Sequence, residues 1–199
     1  MNDREFFNNL ASKWDEICNH DDKKLREIMK LSKMRENSKV LDVGTGTGVL
    51  VKYLLEYSPI AIKAVDLSEN MIEVARNKYN NDNVEFIVKD IMDFQEGNFN
   101  YIFLYSVYPH FMDKDELFGH LYKLLKVDGK IVIAHSESKE KINNIHKKSD
   151  TVKEHMLPAV EVTSNIMSKY FKVEEAIDNE NMYYISGIKI KGGELKVES

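Results

Sequence analysis

Three glycines in five positions, Gly44, Gly46 and Gly48, sit in the stretch VLDVGTGTGVL, framed by apolar residues. Glycine repeated at that spacing, directly after a strand-like segment, lets backbone lie against a ligand with no Cβ atoms between them. The neighbouring residues narrow the chemistry of that ligand. A phosphate-cradling P-loop ends in Gly-Lys-Ser/Thr, whereas Gly48 is followed by Val49 and Leu50. A dinucleotide fingerprint has its third glycine three positions after its second, where this chain has Val49. Asp42 precedes the loop, and a carboxylate there repels a pyrophosphate but attracts a cationic amine or sulfonium. The loop reads as the cradle of a nucleoside ligand without a pyrophosphate and with positive charge.

Such a loop needs a sheet to carry it. KVLDVG reads as a strand, Leu50, Tyr53, Leu54 and Tyr57 mark a helix, and IKAVDL reads as a second strand. The alternation continues with a helix over Glu69 to Tyr79, strands VEFIVKD and YIFLYSV, and a helix with Leu117, Leu121, Leu124 and Leu125 on one face. A strand KIVIAHS then follows the turn Asp128-Gly129. Strands alternating with helices predict right-handed βαβ units and a mainly parallel sheet covered on both faces. A polar stretch from Glu137 to Lys153 leads to a helix in LPAVEVTSNIMSKYF. The strands FKVEEAI and MYYISGIKI are separated by DNEN, too short for a parallel crossover, so they predict an antiparallel hairpin. Ahead of the sheet, Phe7, Leu10, Trp14 and Ile17, then Leu25, Ile28 and Met29, predict two helices.

With 199 residues and 43% hydrophobic content, the chain is sized for one packed domain. A net charge of -5 with Lys and Arg scattered among Asp and Glu disfavours nucleic acid as a partner. A single cysteine, Cys18, a polar start without a secretory pattern and the lack of a long apolar run predict a cytoplasmic protein with no membrane partner. The oligomeric state is left open between monomer and homodimer.

VLDVGTGTG, AVDLSENMIEVAR and FIVKDIMDF together resemble the first three motifs of class I S-adenosylmethionine-dependent methyltransferases, in order, with the likeness running from about Ser38 to Ile190. The resemblance implies a Rossmann-like, three-layer α/β/α fold with a seven-stranded sheet whose last strand is antiparallel. It implies an N-terminal helical lid over 1–37, a cofactor-binding core over 38–190 and a tail, 191–199, without function. It further implies that Gly44, Thr45, Gly46 and Gly48 contact S-adenosylmethionine and that Asp42 serves its amine region. By the same likeness Asp66 accepts from the ribose hydroxyls, Leu67 and Met71 pack on the adenine, Asp90 accepts from its exocyclic amine and Ile91 covers the other face. Tyr105 and Ser106 would pass the methionine moiety. Taken singly, Asp66 and Asp90 read equally well as helix N-caps.

On the acceptor side, His110 and His135 end or follow the fourth and fifth strands, which makes them the candidates for a catalytic base. They could instead converge with His146 and His20 on a metal or a metal-bound acceptor, a site possible from the residue types but not predicted. His120 and His155 read as structural or surface residues, and Trp14 and Phe6 as packing. Tyr105, Tyr108, Phe111 and Tyr183 could line a pocket for a small-molecule acceptor. One cysteine argues against metalloid methylation, the absence of an Asn/Asp-Pro-Pro-aromatic stretch against DNA-base amino groups, and the absence of paired glutamates after the fourth strand against protein arginine. A quinone-type C-methyltransferase and a cofactor-binding accessory protein without chemistry remain as alternatives.

Overall fold

The computed structural model describes residues 2–18 and 20–190, so the expected tail, 191–199, lies outside the described residues. Three helical segments come first: α1 (Asp3–Leu10), α2 (Trp14–Ile17) and α3 (Asp22–Ser32). The single helix expected through Phe7 and Ile17 is broken by a 3-10 turn at Ala11–Lys13, and Ile17 is left 58% exposed. α3 follows its periodicity. Asp21 caps it by accepting from the backbone N–H of Lys23 and Lys24, and Leu25, Ile28, Met29 and Ser32 form its buried face.

The sheet contains β1 (Lys39–Val43), β2 (Ala61–Asp66), β3 (Val84–Val88), β4 (Phe99–Tyr105), β5 (Leu125–His135), β6 (Lys172–Asp178) and β7 (Tyr183–Ile188). Their order is β3-β2-β1-β4-β5-β7-β6, with β7 antiparallel to both neighbours. The connecting helices are α4 (Val51–Leu55), α5 (Glu69–Lys78), α6 (Lys114–Leu124), α7 (Lys139–His146) and α8 (Val160–Met167). α7 occupies the stretch that reads as merely polar in sequence, and Ser138 caps it by accepting from Lys141 N–H.

Leu125 leaves the expected helical face and opens β5, pairing with Phe99. The Asp128-Gly129 turn becomes an irregularity inside the β4–β5 ladder, with Asp128 at φ +63°. Two apolar clusters sandwich the sheet. Leu41, Val43, Ile131 and Ile133 face α6 and α8, while Val40, Val132 and Ala134 face α3, α4 and α5. The chain runs from β1 outward to β2 and β3, then returns across to β4. The β1/β4 junction is therefore the switch point, where a crevice opens beyond the strand ends.

Candidate active site

A cavity of about 300 Å³ occupies that crevice. Gly44, Thr45, Gly46 and Asp66 line one part of it, Leu67, Met71, Asp90 and Ile91 extend it toward β3, and Tyr105 and Ser106 carry it past the end of β4. Residues from α1, α2 and the segment after them lie over the opening, contributing Asp3, Phe7, Trp14 and His20. Sheet order thus spreads the lining along the strand ends, with Asp66 and Asp90 toward β2 and β3 and His110 beyond β4.

Gly44 N–H and Thr45 N–H both donate to the carbonyl of Val65, at 2.8 and 3.0 Å, which folds the loop back over β2. Gly44 has φ +66°, and a Cβ there would stand 2.3 Å from Val107 Cγ2. Gly46, at φ +54°, is different. A Cβ there would point toward the cavity beneath Trp14, whose Nε1 is 3.9 Å away. Asp66 ends β2, and its Oδ2 accepts from Gly46 N–H while its Oδ1 accepts from Ser68 N–H, both at 2.8 Å. Leu67 N–H adds to these donors, and the carboxylate keeps acceptor capacity for a further one. Burial raises the Asp66 carboxyl above its ordinary range, and the backbone donors oppose that shift.

Two expected contacts are absent from the lining. Gly48 (φ +79°) lies under Tyr79, whose Cε2 would be 2.8 Å from an added Cβ, so this glycine serves loop packing. Asp42 is 1% exposed and accepts from Thr45 Oγ1 at 2.7 Å, reaching the cavity only through that threonine. Burial drives the Asp42 carboxyl up to about 7, the Thr45 hydroxyl opposes this, and the negative charge of Asp66 adds to it.

The histidines divide just as sharply. His135 is 1% exposed and shares a face of β5 with Ile131 and Ile133, so strand alternation sends its ring toward Tyr183 rather than the cavity. Neither of its ring nitrogens has a partner among the described residues, and burial lowers its pKa to about 3. This placement gives His135 no access to an acceptor. His110 does line the cavity, and burial followed by repulsion from His146 and His155 lowers it to about 3. Its Nδ1 lies 2.9 Å from Nδ1 of His155, a residue that reads as peripheral in sequence, and Asp3 Oδ2 is 3.8 Å from the same His155 atom. His146 stays outside the lining and bonds to the His155 carbonyl.

His20 closes a second polar chain. The Tyr105 hydroxyl donates to Ser136 Oγ at 2.9 Å, so His20 Nδ1–H donates to the Tyr105 oxygen, also at 2.9 Å. The other nitrogen, Nε2, is then an acceptor, buried and without a hydrogen-bond partner among the described residues. Burial lowers the His20 pKa, with Asp15 pulling the other way. Of the expected acceptor-side aromatics, Tyr105 and Phe111 line the cavity; Tyr108 and Tyr183 are fully buried in the core. Phe7 and Trp14, edge-to-face at 5.6 Å, line it as well, and helical spacing alone does not separate such residues from packing.

The methyltransferase domain pattern matches residues 34–186. The chain belongs to the methyltransferase domain family. It is 26% identical over 117 residues to phosphoethanolamine N-methyltransferase 2 of Caenorhabditis elegans, a match covering 56% of this chain and 27% of that protein. It is 33% identical over 122 residues to malonyl-[acyl-carrier protein] O-methyltransferase 1 of Ilyobacter polytropus, covering 60% and 45%. The chain therefore matches less than half the length of either curated relative. Phosphoethanolamine N-methyltransferase 2 of Haemonchus contortus, solved with S-adenosyl-L-methionine, superposes with a TM-score of 0.75 at 20% identity over 94% of this chain and 60% of that one. A SAM-dependent methyltransferase from Aquifex aeolicus gives 0.69 at 18% identity over 96% and 100%. These likenesses show a shared fold.

The cofactor of the methyltransferase family, S-adenosylmethionine, fits the residues present. Gly46 leaves open the space a Cβ would fill, Asp66 offers remaining acceptor capacity, and Leu67, Met71 and Ile91 supply the apolar walls an adenine needs.

Proposed function

We propose that the protein transfers the methyl group of S-adenosylmethionine to a small-molecule acceptor held beneath α1 and α2. One observation carries this reading: a single cavity joins the Asp66 and Asp90 end to the His20 and His110 end under a roof of N-terminal residues. The cofactor supplies an electrophilic methyl group for in-line displacement, so the protein's tasks are to hold the acceptor in line and to exclude water.

The roof is fastened for that purpose. Asn8 Oδ1 accepts from Ser68 Oγ and Asn70 N–H, and Asp15 accepts from Thr47 Oγ1 at 2.6 Å and pairs with Lys78 at 2.7 Å. α1 and α2 thus act as a lid on the core, whereas α3, inside the same N-terminal stretch, packs into the core itself. Within the cavity, Phe7, Trp14 and Phe111 shield the reacting atoms, His110 orients a polar group of the acceptor, and His20 Nε2 takes a proton where the acceptor must lose one. Gly44, Thr45, Gly46, Asp66, Leu67, Met71, Asp90, Ile91, Tyr105 and Ser106 form the cofactor's surroundings.

Incubation with methyl-labelled S-adenosylmethionine and a fractionated cell extract tests the reading. Label is expected in a small-molecule fraction, and the His20→Ala variant is expected to keep S-adenosylhomocysteine affinity while losing transfer to a protonated acceptor. Label found only in protein or nucleic acid would overturn the substrate class. Failure of the folded chain to bind S-adenosylhomocysteine would overturn the activity.

A further inference from the structure

The histidine end of the cavity gathers three groups with metal-ligating atoms from three separate segments: Asp3 on α1, His110 after β4, and His155 before α8. The two Nδ1 atoms are 2.9 Å apart, Asp3 Oδ2 is 3.8 Å from His155 Nδ1, and all three ligand atoms lie within 4.8 Å of one another. A tetrahedral ion with bonds of roughly 2.1 Å sets neighbouring donors about 3.4 Å apart, and these separations straddle that spacing.

Without a cation the cluster satisfies itself poorly. One Nδ1 must carry a hydrogen for the other, which leaves the Asp3 carboxylate beyond hydrogen-bond distance of His155 Nδ1. Neutral imidazole is the form that ligates a metal. A divalent ion would take both imidazole lone pairs and neutralise the carboxylate together. The backbone of His155 is pinned for this by the His146 ring, which donates to its carbonyl.

We propose that Asp3, His110 and His155 form a site for a divalent first-row transition cation, its open coordination positions turned toward the cavity that Asp3 and His110 line. Two histidines and one carboxylate suit zinc with a vacant fourth position. An oxygen or sulfur atom of the methyl acceptor bound there would be fixed in place and would lose its proton more readily. The metal site goes beyond the methyltransferase reading, because it requires no cofactor.

The test is calorimetric titration of the untagged, chelator-stripped full chain with Zn²⁺, with Co²⁺ visible absorption as a second readout and S-adenosylhomocysteine affinity measured in parallel. One equivalent of saturable binding is expected. Asp3→Asn, His110→Ala and His155→Ala should each weaken it at least tenfold, and His120→Gln should not. Asp3→Asn, on a surface helix, keeps the test decisive where a histidine variant fails to fold. A wild-type chain that binds S-adenosylhomocysteine but shows no saturable Zn²⁺ binding would overturn the proposal, as would wild-type Zn²⁺ affinity in both Asp3→Asn and His155→Ala. Zn²⁺ binding by a chain unable to bind S-adenosylhomocysteine would support the metal site and refute the methyltransferase reading.

Discussion

Replacing Asp42 with Asn should change how the protein's stability responds to pH. Asp42 is fully enclosed, and burial holds its carboxyl near 7, against about 3.9 for an unfolded aspartate. The folded state therefore binds this proton more tightly than the unfolded state does. Its contribution is most favourable below pH 4, declines as pH rises from about 4 to 7, and is level above that window. A difference of about 3 pKa units corresponds to about 4 kcal/mol over the whole window and to roughly 3 kcal/mol between pH 5 and 8. Asn removes the titration and keeps an oxygen that can accept from Thr45. Its amide brings an unpaired donor that costs roughly 1–3 kcal/mol at every pH. The slope of the difference is thus informative and its intercept is not. Urea unfolding of both proteins at pH 5, 6, 7 and 8 should show the variant gaining on the wild type with each step to pH 7 and holding level beyond it. A constant difference across those pH values would mean that Asp42 is ionised throughout, and the argument from burial would fail.

Gly44→Ala should be more destabilising than Gly46→Ala by at least roughly 1 kcal/mol in thermal unfolding, since both require positive φ but only the first drives a Cβ into Val107. Val107→Ala should recover part of the Gly44→Ala loss, and Gly46→Ala should stay folded while losing S-adenosylhomocysteine affinity in calorimetry. Asp66→Ala should weaken S-adenosylhomocysteine binding by about 1.5–3 kcal/mol, the range for hydrogen bonds to a charged group; unchanged affinity would remove Asp66 from the site. Asp15→Ala should shift stability by less than about 1 kcal/mol, because its side chain is 47% exposed, yet limited proteolysis should cut the α1–α2 segment faster once the Thr47 and Lys78 contacts are gone.

Most of the fold is legible in sequence because the central strands are largely apolar and alternate with amphipathic helices, of which α5 and α6 are capped by Ser68 and Asp113. β4 is buried along almost its whole length, as the unbroken apolar run from Tyr101 to Tyr105 implies. Legibility fails where one pattern serves two structures. Leu125 continues the leucine spacing of α6 and begins an apolar strand equally well, and only its pairing with Phe99 decides between them. The 3-10 turn at Ala11–Lys13 interrupts a periodic helix that local spacing treats as continuous. Asp3 and His155 are invisible as partners, since their approach depends on α1 crossing the strand ends to meet the loop before α8.

The cavity also shows why arrival at the end of a strand does not by itself make a residue part of a site. Asp66 is the last residue of β2, so its carboxylate reaches past the sheet and into the crevice. Asp42 stands one residue before the end of β1, and the alternation that sends Val43 to the α6 and α8 face turns Asp42 to the other, where it is enclosed. His135 does end β5, but it shares the face of Ile131 and Ile133, where its ring lies against Tyr183, whereas Asp66 shares the opposite face with Ile62 and Ala64. Whether a chemically capable side chain meets the crevice depends on two matters together: its distance from the strand terminus and its phase in the two-residue alternation. The first can be read from a strand's own sequence. Which phase faces the crevice becomes readable only once the two packed layers are in place, and for that reason a histidine at the end of β5 reads in sequence as a candidate base although its ring lies in the core.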